Sequence, residues 1–170
     1  MPSSSAAHDY TFEFTTDLSS TAHEDSVLLR TEVFVNEQHV PKNREIDDDE
    51  DSCIYLVAYD LSAENNGATP ARHIPCATLR LLPQEHGFHV QRVAVARDHR
   101  GTGLGRELML HAFDYAIEHG VSHLGLDAQT HATGFYESLG FTYTNRPEFL
   151  DAGIAHREMF IDLALAEDRA

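Results

Sequence analysis

The chain has 170 residues, a length that suits one compact domain, and 42% of them are hydrophobic, enough for a core and too many for a disordered tail. The formal charge of −16 argues against nucleic-acid binding, which needs a basic stripe, and against docking on an anionic membrane. It is compatible with a cationic ligand such as an amine, although net acidity more often serves solubility.

Residues 1–9 are rich in Ser and Ala and carry neither a charged start nor an apolar stretch, so they read as a disordered lead to a single domain over residues 10–170. No apolar run approaches the ~20 residues that span a bilayer, and a cytoplasmic location is expected, with the nucleus left open. Cys53 and Cys76 begin apolar runs and read as small buried residues rather than a disulfide framework.

Residues 10–15 alternate as a strand with Phe12 and Phe14 on one face. Thr21-Ala22-His23-Glu24 matches a capping box, and a helix carrying Val27, Leu28, Arg30 and Thr31 towards Phe34 follows. The very acidic residues 41–51 read as a solvated loop, and Phe34 reads as core. Residues 53–59, 75–82 and 88–95 form three strands in a row. Asn65-Asn66-Gly67 and Pro70 mark the first connection and Gly87 the second, so an antiparallel meander is expected.

The periodicity then changes. Leu104, Leu108, Met109, Ala112, Phe113, Ala116 and Ile117 recur at helical spacing, and Gly120 supplies the stop. A strand over 121–127, a short helix over 133–139 stopped by Gly140, and strands over 141–143 and 156–163 complete the chain. This is an α/β (α+β) layout, a mixed sheet covered by helices on its faces.

Between the third meander strand and the long helix lies Arg100-Gly101-Thr102-Gly103-Leu104-Gly105. Alternate glycines let the backbone turn tightly and approach a ligand. A helix start offers unpaired N–H groups and partial positive charge, so together they make a phosphate cradle. Arg100 and Arg106 could add fork-shaped donors. A dinucleotide fingerprint fails because Arg106 stands where its third Gly belongs, and no Gly-Lys-Ser/Thr is present for a P-loop.

The Arg-x-x-Gly-x-Gly pattern at Arg100 resembles the acetyl-CoA loop of the GNAT N-acetyltransferase superfamily. Downstream, Phe135-Tyr136 followed by Leu139-Gly140-Phe141 resembles that family's final motif. Upstream, Leu29-Arg30-Thr31-Glu32-Val33-Phe34-Val35-Asn36-Glu37-Gln38, then Pro41, Glu45, Ile46 and Asp47, is similar to the ElaA-like branch. So is Gly153-Ile154-Ala155-His156, where that branch usually has Pro in place of Ala155.

The resemblance implies a mostly antiparallel central sheet of about six to seven strands with helices on both faces. It implies transfer of an acetyl group from acetyl-CoA to a primary amine of a small molecule or a lysine-bearing protein. The alternatives are a longer acyl-CoA donor and a non-catalytic acyl-CoA-binding sensor. Val93, Ala94 and Val95 would pair with the pantetheine arm. The amides of Gly101, Thr102, Gly103, Leu104, Gly105 and Arg106 would hold the pyrophosphate, with Gln129 and Phe135 also at the cofactor. Tyr136 is the candidate general acid for the departing thiolate. The base is open among Glu37, Asp47, His131 and His156, with His131 favoured because imidazole titrates near neutrality. Arg30 and Gln38 either orient the helix region over the site or contact the acceptor. No metal is expected, because no cluster has ligand spacing. A homodimer is compatible with the sequence, although no pattern argues for it.

Overall fold

The structure is a computed structural model that describes residues 9–61 and 73–164. The expected lead and the Asn65-Asn66-Gly67 and Pro70 connection lie outside the described residues, apart from Asp9.

The elements run β1 (Tyr10–Thr15), α1 (Thr21–Arg30), a π-helical turn (Thr31–Glu37), α2 (Lys42–Glu45), β2 (Ile54–Asp60), β3 (Ile74–Gln84), β4 (Gly87–Val95), α3 (Leu104–Glu118), β5 (His123–Gln129), α4 (Thr133–Ser138), β6 (Thr142–Tyr143), β7 (Phe149–Asp151) and β8 (Ile154–Asp162). One eight-stranded sheet results, in the order β1-β2-β3-β4-β5-β8-β6, with β7 paired to β8. The expected meander is present as the antiparallel run β2-β3-β4. The extra strand is β7, three residues long and too short to stand out in the alternation.

Alternation within β2 divides the two faces. Leu56 and Ala58 join a large cluster with Leu108, Met109 and Ala112 of α3, whereas Val57 and Tyr59 pack with Ala22 and Leu29 of α1. The predicted apolar stripe of α3 is buried except Ile117, which is 41% exposed.

One expectation for α1 needs correction. Its cap is Ser20, whose Oγ accepts the His23 N–H at 3.2 Å, one residue ahead of the Thr21 box. Its inward face is Ala22, Ser26, Leu29 and Arg30, while Leu28 is exposed. The helix also widens at its end. Gln38 N–H bonds to the Val33 carbonyl at 3.1 Å, a five-residue spacing that turns Phe34, Glu37 and Gln38 towards the sheet opening.

Candidate active site

Strands β4 and β5 run parallel but pair only at Phe88↔Leu124, His89↔Gly125 and Val90↔Leu126. Beyond Val90, β4 stays with β3, as Ala94↔Thr78 and Val95↔Ala77, while β5 stays with β8 out to Gln129↔His156. The β3–β4 register shifts between Thr78 and Arg80, and Arg92 takes a left-handed φ of +57° on the shifted stretch of β4. The two strands therefore part, and a cavity of about 940 Å³ occupies the gap.

The glycine loop closes one end. Gly101 and Gly103 have φ of +75° and +87°, and a Cβ at either would meet nothing within 4 Å, so open space faces the loop. Helix α3 starts at Gly103 with no side-chain cap, which leaves its first amides without a side-chain acceptor. The lining here includes Gly101, Gly103, Leu104, Gly105, Arg106, Phe135 and Tyr136. These features fit a diphosphate with an extended apolar-polar arm. Tyr136 is buried, and burial alone pushes its phenol above the usual value, so it stays protonated through the neutral range.

The other end is walled by the π-helical turn, α2 and the ends of β5, β7 and β8. Gln38 and Gln129 bridge it, the Gln129 Nε2 donating to Gln38 Oε1 at 2.9 Å. Beneath lies an ion network. Arg30, fully buried, donates to Glu45 at 2.8 Å and to both oxygens of Glu50. Arg80, also buried, donates to Asp47 at 2.9 and 2.7 Å and to Glu50 at 2.7 Å. Arg92 lies 3.1 Å from Glu45 and 3.3 Å from Asp47.

Burial works to raise Glu50, but hydrogen bonds and charge from Arg30, with Tyr55 and His23, override it and hold the carboxyl at about 2. Burial is also opposed at Asp47, where Arg80 and Arg92 prevail and lower it; at Glu45 burial prevails and the carboxyl is raised.

The matching family model is described as an acetyltransferase (GNAT) domain and covers residues 20–163. The chain belongs to the GNAT acetyltransferase family. It is 34% identical over 138 residues to the uncharacterised N-acetyltransferase YjcF of Bacillus subtilis, across 81% of this chain and 91% of that one. A solved structure of a candidate N-acetyltransferase from Lactobacillus plantarum superposes with a TM-score of 0.75 at 29% identity, over 91% of this chain and 98% of the other. Escherichia coli ElaA superposes at 0.73 with 23% identity, over 91% and 99%, a likeness of fold.

As a GNAT enzyme the chain is an acyltransferase, of a family that uses acyl-CoA and acts on amine acceptors. Of the residues singled out from sequence, Val93, Ala94, Val95, Arg100, Gly101, Gly103, Leu104, Gly105, Arg106, Gln129, His131, Phe135, Tyr136, Glu37, Gln38, Asp47 and His156 all border this one cavity.

Others fall elsewhere or are engaged differently. Thr102 Oγ1 donates to the His99 carbonyl at 2.6 Å and is absent from the cavity wall. Arg30 is a core residue that holds the carboxylate network and does not reach the cavity. Arg100 does not fork towards the loop: its Nε donates to the Val95 carbonyl at 3.0 Å and its Nη2 to Glu37 at 2.8 Å. Phe34, expected in the core, is half-buried on the cavity wall.

The acidic run is not simply solvated, because Asp47 and Glu50 turn inward onto arginines. The available signal was Arg80, a lone charge inside the apolar strand Cys76-Ala77-Thr78-Leu79-Arg80-Leu81-Leu82, which requires carboxylates from elsewhere. His89, Asp127 and Arg92 were also missed. They line the cavity, and only the β4–β5 pairing brings the first two together.

Proposed function

We propose that this enzyme transfers the acetyl group of acetyl-CoA to a primary amine, on a small molecule or a lysine side chain. The reading is carried by the divergence of β4 and β5 beyond Val90, which opens directly onto the uncapped start of α3. The amides of Gly101 and of Gly103 to Arg106 are suited to hold the pyrophosphate, and the edge of Val93 to Val95 that β5 leaves unpaired to pair with the pantetheine arm. Bound there, the coenzyme supplies the acyl group activated as a thioester.

Tyr136 borders the cavity on the α3 and α4 face as a protonated phenol, the form able to donate to a departing thiolate. Gln38, Asp47, His156 and Phe34 stand at the opposite wall, where an amine would enter. Arg100 holds the Val95 carbonyl, so it has to let go of that oxygen if the arm is to pair there.

Isothermal titration tests the reading. Wild type is expected to bind acetyl-CoA in the micromolar range. Gly103→Glu is expected to abolish binding, because it puts bulk and negative charge into the cradle. Thiol release against a panel of primary amines then identifies the acceptor. A wild type that binds no acetyl-CoA refutes the proposal.

A further inference from the structure

Amine attack on a thioester needs a neutral nitrogen, so some group must accept a proton from the incoming ammonium. The cavity offers several candidates, and most are already committed. The Glu37 carboxylate holds Arg100 at 2.8 Å. Asp47 is held by Arg80 through two hydrogen bonds and lies 3.3 Å from Arg92. His156 is 9% exposed and stacked on Phe149, and its Nδ1 is 2.7 Å from the Ile154 carbonyl, which leaves only Nε2 to accept a proton. His131 stands exposed on the turn after β5, with no hydrogen bond among the described residues to orient its ring.

His89 and Asp127 differ. His89 is the last paired position but one on β4, opposite Gly125, and a Cβ at Gly125 would lie 3.5 Å from His89 Nδ1. The imidazole therefore lies against the β5 backbone at ordinary contact distance. Asp127 is the first β5 residue past the paired stretch, and its Oδ2 lies 3.6 Å from His89 Nε2. Both border the cavity, the His89 side chain 16% exposed and that of Asp127 35%. His89 first, then Arg146 and His156, hold the Asp127 carboxyl below its usual range, so it is an anion beside the ring.

Alternation in β5 also sets the pair apart from Tyr136. Leu124, Leu126 and Ala128 join the core cluster that contains Tyr136, whereas Asp127 and Gln129 point to the opposite face, Gln129 reaching Gln38. A proton donor for sulfur and a proton acceptor for nitrogen therefore stand on different sides of the opening.

We propose that His89, oriented by Asp127 across the β4–β5 split, takes the proton from the acceptor amine. This rests on the acyl-transfer reading above. His89 accepts one proton of the ammonium, and the freed lone pair forms the C–N bond as the C–S bond breaks. Tyr136 gives its phenolic proton to the thiolate and regains one from the nitrogen, which leaves as a neutral amide. His89 then returns its proton to solvent. The other charged groups around this face are Arg80 and Arg92 with Glu45 and Asp47, and Arg146 with Glu158 beside His156.

The test compares wild type with His89→Ala, His89→Gln and Asp127→Asn. Two quantities are read: kcat/KM against pH by thiol release and acetyl-CoA affinity by calorimetry. His89→Ala is expected to lower kcat/KM by about 100-fold with affinity for acetyl-CoA retained, and added imidazole is expected to restore part of the rate. Asp127→Asn is expected to lower kcat/KM less than His89→Ala does and to change its pH profile, with acetyl-CoA affinity retained.

His89→Gln keeps a polar side chain on the strand and carries the measurement if His89→Ala fails to bind acetyl-CoA. Histidine variants within about twofold of wild type, with the acid limb unmoved, overturn the assignment while leaving acyl transfer intact. A wild type that binds acetyl-CoA but acetylates no amine in the panel overturns the reading beneath it as well.

Discussion

Replacing Gly105 by alanine separates the stability of the glycine loop from its use. Gly105 is the second residue of α3 and, unlike Gly101 and Gly103, its φ is not left-handed. A Cβ there would stand 3.4 Å from Phe135 Cζ and 3.8 Å from Val95 Cγ2, ordinary contact distances. Alanine also restricts the unfolded chain and favours the helix by about 0.5–1 kcal/mol. For a domain of this size that gain raises Tm by roughly 1–4 °C.

The same methyl projects where the cavity meets the first amides of α3. A ligand phosphate kept from one of those amides loses a charge-assisted hydrogen bond worth about 1.5–3 kcal/mol, or roughly 10- to 100-fold in Kd. Calorimetric unfolding and acetyl-CoA titration measure the two effects on one sample. A lowered Tm refutes the packing argument. A raised Tm with unchanged affinity refutes the assignment of these amides to the coenzyme.

Tyr136→Phe is expected to bind acetyl-CoA as wild type does and to turn over about 10- to 100-fold more slowly, read by thiol release; an unchanged rate removes the phenol from the chemistry. Glu50 is depressed from 4.5 to about 2, so its contribution to stability is complete above pH 4.5 and is lost as pH falls from there to about 2. Glu50→Gln is therefore expected to cost about 2 kcal/mol near neutrality, after allowance for partial exposure, and to flatten the dependence of the urea midpoint on pH across that window. Gly140→Ala is expected to cost about 1–2 kcal/mol, seen as a lower Tm: its φ is +104° and a Cβ would press to 3.1 Å from Ile161 Cδ1.

Much of the architecture was legible because it depends on local periodicity. The α3 stripe, the alternation of β2 to β4 and the stop at Gly120 each follow from spacings of a few residues, and the structure places them within a residue or two of expectation. The cap of α1 slipped by one residue because Ser20 and Thr21 are chemically equivalent as hydrogen-bond acceptors, and only backbone geometry distinguishes them. The π-helical turn left no signal, since its apolar positions satisfy an ordinary helix equally well.

The site divides in the same way. Glycines beside a helix start announce a phosphate cradle from the sequence alone, because the backbone needed for it is encoded by the glycines themselves. What a side chain does once folded depends on partners remote in sequence. Arg30 became a core residue because Glu45 and Glu50 fold over it, and Arg100 turned to Glu37 across 63 residues. His89 met Asp127 through a strand pairing only three positions long. The sequence by itself determined the elements and the cradle, since both follow from short-range backbone preference. The tertiary structure alone decided which charges are committed to one another and which face the cavity, because electrostatic pairing acts through space and leaves no period along the chain.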